Sequence, residues 1–300
     1  MDDLSRAYYE VVLENRFLKK KGNEFQDFFS EIMEKCHPGD FQRVRPWGKS
    51  GDKKNDGYLK SERNIYQVYA PNELTATEAI QKIDEDFHGA RPHWKEHFDC
   101  WTFVHNSRQG IGPDVLQKLL TLQEANPQLK ITHWGYEELR KKAFSLDDQD
   151  IESLLGQSPT RKDLIKLGFE DLRIVLIGIG QQVPLVDSEI RPVPPGKLSA
   201  NALSANVEIL LRSGMTKADL VKRFFDDWYD PTLGDRVAER FKGEYTALKL
   251  TQLAPDDIFT QLFVFAGGGV RGTPMHEVAV LAVLAHLFEE CDIFEKPASA

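Results

Sequence analysis

Between Phe41 and Pro71 the apolar residues stop recurring at helical spacing and begin to alternate, and this switch constrains the fold more than any other feature. Before it lie two segments with helical faces. One runs from about Leu4 to Lys20 and carries Tyr8, Val11, Val12, Phe17 and Leu18; the other carries Phe25, Phe28, Phe29, Ile32 and Met33. Gly22-Asn23 separates them, and His37-Pro38-Gly39-Asp40 stops the second. Phe41, Val44 and Trp47, the Gly48–Gly57 stretch, and Tyr58-Leu59 then read as a strand, a turn and a second strand. Ile65–Ala70 is rich in β-branched and aromatic residues, is closed by Pro71, and reads as a third strand.

Helices and strands alternate after that. Thr75 with Glu78 three residues on forms a capping box that opens a helix to about Phe87. Trp101–Asn106 reads as a strand, about Asp114–Asn126 as a helix, Leu129–His133 as a strand and Trp134–Phe144 as a helix. This order predicts an α/β domain, a mixed sheet flanked by helices, over residues 1–155. A short helix-like segment, Arg161–Leu167, and the apolar run Leu172–Gly178 follow. Val183–Pro195 holds four prolines without periodicity, so residues 156–196 read as a linker or extended arm. Residues 197–300 read as an all-α domain, with helices at about Ala200–Ser213, Thr216–Tyr229, Gly234–Thr251, Asp256–Phe265 and Met275–Cys291. The last is apolar almost all round, which requires burial in a domain or an interface.

Composition narrows the function classes. Hydrophobic residues are 41% and charged residues 28%, enough apolar side chains for a sizeable core. No apolar stretch is long enough to cross a membrane. Met1-Asp2-Asp3 does not lead into a secretory signal, and Cys36, Cys100 and Cys291 are sparse and widely spaced, so a cytoplasmic protein with reduced thiols is expected. The net charge of −9 argues against a surface that coats DNA. Phe41–Asn64 is an exception. Arg43, Arg45, Lys49, Lys53, Lys54, Lys60 and Arg63 stand there against Asp52, Asp56 and Glu62, a local charge of +4 that leaves −13 for the rest. Such a patch suits double-stranded DNA, with Arg43, Arg45, Lys49, Lys53 and Lys60 as phosphate contacts; alone it also fits a solvated loop.

The same segment carries the candidate chemistry. Phosphodiester hydrolysis is served by a divalent cation that polarises phosphate and acidifies a bound water. Magnesium, or manganese in its place, takes hard oxygen ligands and keeps several waters, so a few protein oxygens suffice. Asp56 after the turn, Gln67 on the neighbouring strand and the Val68 carbonyl can supply them. Tyr69 shares a strand face with Gln67. Elsewhere, His276-Glu277 lacks the second histidine of a zinc-protease helix, and Ala266–Gly272 is glycine-rich without the Lys-Ser/Thr of a phosphate loop.

The string Gly48-x-x-Gly51-Asp52-x-x-x-Asp56-Gly57, followed by a strand with Gln67, resembles the Mrr-like branch of the restriction-endonuclease (PD-(D/E)xK) superfamily. Phe25-Gln26 in the preceding helix and Phe103-Val104-His105-Asn106 are similar to that family too. The resemblance covers roughly residues 20–145. It implies a metal-dependent DNA endonuclease with Asp56, Gln67 and Val68 around magnesium and Gln26 in support. The family's lysine two residues after the Gln is Tyr69 here. Either Lys53, Lys54 or Lys60 replaces it in space, or the domain is catalytically degenerate and binds DNA as a scaffold. A phenol at Tyr69 is a poor base at neutral pH.

His286–Glu295 and Lys197–Ser204 resemble the C-terminal domain of effectors in ABC-three-component systems, which include Lamassu. The resemblance implies anti-phage defence, with an ABC/SMC-type ATPase and a smaller third subunit as partners and homo-oligomer formation on activation. It makes the helical half a docking module and Glu289, Glu290, Asp292 and Glu295 candidate partner contacts.

Overall fold

The computed structural model describes residues 1–46, 53–180, 197–269, 272–290 and 293–295. Trp47, Gly48, Lys49, Gly51, Asp52, the whole Val183–Pro195 segment, Cys291 and Asp292 lie outside the described residues. The chain divides into two compact units: Arg16–Leu154, and Met1–Asn15 together with Leu155–Ala300.

In the first unit, the end of α1 (Asp3–Lys19) and α2 (Gly22–Cys36) precede β1 (Phe41–Arg43), β2 (Gly57–Leu59) and β3 (Asn64–Tyr69). Then come α3 (Ala76–Trp94), β4 (Cys100–His105), α4 (Pro113–Ala125), β5 (Lys130–Trp134), α5 (Tyr136–Ala143) and α6 (Asp148–Leu155). The five strands lie in the order β1-β2-β3-β4-β5. β1–β2 and β2–β3 are antiparallel; β3–β4 and β4–β5 are parallel. The expected mixed sheet is therefore present. One face buries Phe25, Phe29, Met33, Leu59, Tyr66, Val104 and Leu139 against α2 and α5. The other buries Ile65, Ile83, Phe87, Trp101, Phe103 and Leu119 against α3 and α4. Alternation along β3 thus sends Tyr66 and Val68 to the α2 side, and Ile65, Gln67 and Tyr69 to the α3 side.

Helix ends depart from the periodicity where packing overrides local signals. Thr75 caps α3 as expected, its hydroxyl accepting the Glu78 N–H. The helix then passes Phe87 and runs through Gly89 and Pro92 to Trp94. Ala90 is fully buried, and the stem of Lys54 crosses the helix at Gly89, so tertiary contacts extend it through residues that read as breakers. Trp134 belongs to β5 rather than to α5. α6 was not evident from the sequence; it buries Ile151, Leu154 and Leu155.

The second unit is helical. The start of α1 joins α7 (Arg161–Lys166), α8 (Phe169–Gly180), α9 (Lys197–Ala200), α10 (Ala205–Met215), α11 (Ala218–Asp227), α12 (Leu233–Leu250), α13 (Pro255–Phe265) and α14 (Pro274–Glu289). The apolar run at 172–178 is helical: Leu172, Val175, Leu176 and Ile179 are buried at spacings of three and four. α10 starts later than expected because Ser204, not Ala200, caps it by accepting the Val207 N–H. α14 is buried on every side from Glu277 to Phe288, which places this apolar helix inside the unit. No described helix is long and apolar enough to cross a membrane.

Glu277 is the one carboxylate of that buried stretch, and it accepts the Gly269 N–H at 3.0 Å. Burial pushes its pKa from 4.5 up to about 7, against the lowering by that N–H. The folded value lies above the unfolded one, so folding takes up a proton. The linked stability is complete below pH 4.5 and is lost as pH rises through about 7. Thermal unfolding of wild type is expected to lose roughly 1–3 kcal/mol across this window, and Glu277→Gln to flatten the loss.

Candidate functional site

Asp56 stands immediately before β2, where the Asn55 side chain accepts the Gly57 N–H and closes a tight turn. The backbone register of β2 and β3 continues one residue further, since the Asp56 N–H donates to the Tyr66 carbonyl at 2.9 Å. The Asp56 carboxylate is buried and held from two sides. Oδ2 accepts the Val68 N–H at 2.7 Å, and Oδ1 accepts a short hydrogen bond from Gln26 Nε2 of α2. The helix reaches this end of the sheet because the Gly22 N–H donates to the Ala70 carbonyl. Gln26, Asp56 and Val68, distant in sequence, are thus brought together.

Gln67 sits across from Asp56 on β3 and is 4% exposed. Its Oε1 has no hydrogen-bond partner among the described residues. A buried amide oxygen left open is costly unless something occupies it. Tyr69, two residues on, packs towards Phe103 with ring centroids 6.1 Å apart, and burial raises its phenol pKa further. Among the described residues no group of three or more His, Cys, Asp or Glu side chains is placed to hold a metal ion. Any cation at Asp56 would rest on the oxygens of Asp56, Gln67 and Val68, a set that suits magnesium better than zinc.

The basic residues are largely engaged within the unit. Arg43 pairs with Glu34 at 2.8 Å and Asp27 at 3.2 Å, and Arg45 also pairs with Asp27. Lys60 lies beyond the far end of β2 from Asp56 and donates to the Gly39 carbonyl. The Lys53 carbonyl accepts the Trp94 indole N–H, which ties the turn to α3. Lys54 Nζ bonds Asp86 Oδ1 at 2.9 Å. Lys82 bonds the same oxygen at 2.9 Å, while Asp86 Oδ2 has no partner among the described residues. Asp86 is fully buried. Nothing in the sequence marks it, because only the docking of α3 on the sheet brings residue 86 to residue 54.

A second polar pair lies at the carboxyl ends of the parallel strands. His105 Nε2 and His133 Nδ1 are 3.2 Å apart, and burial, with His133 adding to it, pushes the His105 pKa down to about 4. Gly135 must be glycine here, since a Cβ would lie 2.8 Å from the His105 ring. A cavity of about 240 Å³ lined by Thr75, Phe103, His105, Ser107, Gly112 and Val115 opens beside the pair. In the sequence His105 stands out only within Phe103-Val104-His105-Asn106, and nothing marks its partner His133, because neighbouring parallel strands need not be close in sequence.

In the helical unit, the two segments singled out in the sequence prove to be joined. Lys197 Nζ donates to the carbonyls of Phe288 and Ile293, each at 2.7 Å. Asn201 exchanges two hydrogen bonds, each 2.8 Å, with the backbone of Glu295. The Glu295 carboxylate is bound by Lys249 and Tyr245. The segment before α10 therefore fastens the chain beyond α14, and both strings belong to one packed structure.

No curated protein and no solved structure matches the chain. Residues 170–295, from the start of α8 to Glu295, match the model of C-terminal domain 10 of the ABC-three component (ABC-3C) systems, and the chain is accordingly a component of an ABC-three component system.

Proposed function

We propose that the chain is the metal-dependent DNA endonuclease of an anti-phage ABC-three component system, docked through its helical unit on an ABC/SMC-type ATPase and a smaller third subunit. The observation that carries this reading is the buried Gln67 Oε1, without a partner among the described residues, on the strand next to the buried Asp56. Magnesium bound there would polarise the scissile phosphate and acidify a water. Gln26 holds the Asp56 carboxylate, and Asp56 in turn holds the β3 backbone at Val68. Lys54 brings a cation to the α3 side of the sheet, the side that Gln67 and Tyr69 share, and Asp86 positions it. This arrangement supports Lys54 as the substitute for the lysine that Tyr69 displaces.

A second reading, a DNA-binding scaffold with a degenerate site, is favoured by Tyr69 itself, whose raised phenol pKa leaves it protonated at neutral pH. Purified full-length protein is expected to nick supercoiled plasmid in millimolar Mg²⁺, and EDTA or Gln67→Leu to stop it. Tyr69→Lys is expected to raise the rate about tenfold or more by restoring a cationic proton-transfer group. Plasmid left intact by wild type and by Tyr69→Lys, alone and with the partner subunits, would overturn the nuclease reading. DNA binding that persists in EDTA would then favour the scaffold.

A further inference from the structure

The helical unit contains a cavity that the proposed nuclease chemistry does not use. It measures about 280 Å³ and lies between α11, α12 and α14. His286, on the buried helix α14, lines it and is 9% exposed. Among the described residues the imidazole makes no hydrogen bond or ion pair, although its ring lies 5.7 Å from that of Phe225. Burial, reinforced by Lys222, keeps it neutral by pushing its pKa down to about 4. A buried polar side chain facing a cavity without a partner points to a ligand that supplies one.

The charges around it define that ligand. Among the described residues that line the cavity, Asp226, Asp235 and Glu290 are the anions and Lys222 is the one cation, a balance of −2. None of the three carboxylates enters an ion pair with a described residue. Among the described residues the group is not placed to hold a metal ion. Phe225, Ala238 and Leu287 add aromatic and aliphatic wall. Carboxylates around an apolar shaft, with an aromatic face and a neutral imidazole acceptor, complement a planar cation on an alkyl stem. Next to the lining residues Asp226 and Pro231 stands Tyr229, 86% exposed with its ring against Trp228, the kind of amphipathic aromatic that protein interfaces use.

We propose that this cavity receives the guanidinium of an arginine presented by a partner protein. The proposal is independent of the nuclease reading and can fail or stand without it. The test uses full-length protein and follows the His286 imidazole by NMR, assigned through its loss in His286→Gln. The probes are the peptide acetyl-Gly-Arg-Gly-amide, the same peptide with glutamine in place of arginine, agmatine, and sodium sulfate. The arginine peptide is expected to shift the resonance saturably, with a Kd on the order of millimolar. The glutamine peptide and sulfate are expected to leave it in place. Asp226→Asn combined with Asp235→Asn is expected to weaken the peptide about tenfold, and raised salt to weaken it in wild type. Should the double variant fail to fold, the salt dependence and Glu290→Gln, expected to weaken binding about threefold, carry the test. Tyr229→Ala is expected to weaken the peptide but not agmatine. No shift with the arginine peptide, an equal shift with the glutamine peptide, or a shift with sulfate would overturn the proposal. Agmatine binding as tight as the peptide's, with no effect of Tyr229→Ala, would make the cavity a small-cation site and overturn the assignment to a partner's arginine.

Discussion

Asp56→Ala is expected to reduce Mg²⁺-dependent plasmid nicking at least about a hundredfold, since removing even an outer-shell partner of a metal ligand costs about 10–100-fold. It is also expected to destabilise the sheet-containing unit. The Val68 N–H and the Gln26 amide lose their common acceptor in a buried place, at about 1–3 kcal/mol for each donor left unsatisfied. Loss of activity alone would therefore be ambiguous, and Asp56→Asn resolves it. The amide keeps a carbonyl oxygen for the Val68 N–H, and Gln26 can turn its own carbonyl towards the new N–H. Melting is expected to stay within about 1 kcal/mol of wild type, while nicking falls as far as in Asp56→Ala, because the negative charge is gone. Wild-type nicking by Asp56→Asn would remove the carboxylate, and with it the proposed metal site, from the reaction.

Gly214→Ala is expected to destabilise the helical unit by about 2 kcal/mol, although alanine is the better helix former. Two effects oppose each other. In a helix interior alanine gains about 1 kcal/mol over glycine. A Cβ at Gly214 of α10, however, would lie 2.3 Å from the Leu281 carbonyl oxygen and 2.8 Å from the Ala285 Cβ of α14. Neither neighbour is a flexible chain end, so α10 must move off the buried helix. Overpacking of this kind costs about 1–3 kcal/mol or more, and the clash prevails. Gly243, on α12, is the control. It is exposed and has nothing within 4 Å of an added Cβ, so Gly243→Ala is expected to stabilise by about 0.5–1 kcal/mol. Thermal melts of the two variants should move in opposite directions. A neutral or stabilising Gly214→Ala would contradict the close approach of α10 to α14.

Both predictions rest on contacts of different legibility. The pairing of Asp56 with Gln67 follows from short-range rules: a turn closed at Asn55, a hairpin register and strand alternation. Gln26 was expected from resemblance, and α2 carries it to Asp56. The engagement of Lys54 was not legible. It depends on Asp86, which reads as an ordinary helical acid until α3 docks. The same is true of Arg43 and Arg45, whose charges add to a basic segment in the sequence and meet the acids of α2 in the structure.

The sequence by itself determined the element types, the change from a mixed sheet to helices, the buried nature of α14 and the order of Gln26, Asp56 and Gln67 along the chain. Those properties follow from side-chain periodicity and local capping, which act over a few residues. Only the tertiary structure decided which charges are paired, that Gln67 Oε1 has no partner among the described residues, that the His286 imidazole lines a cavity, and that Lys197 and Asn201 fasten the segment after α14. Hydrogen bonds and ion pairs between distant segments depend on how elements pack, and periodicity along one element does not specify its neighbour.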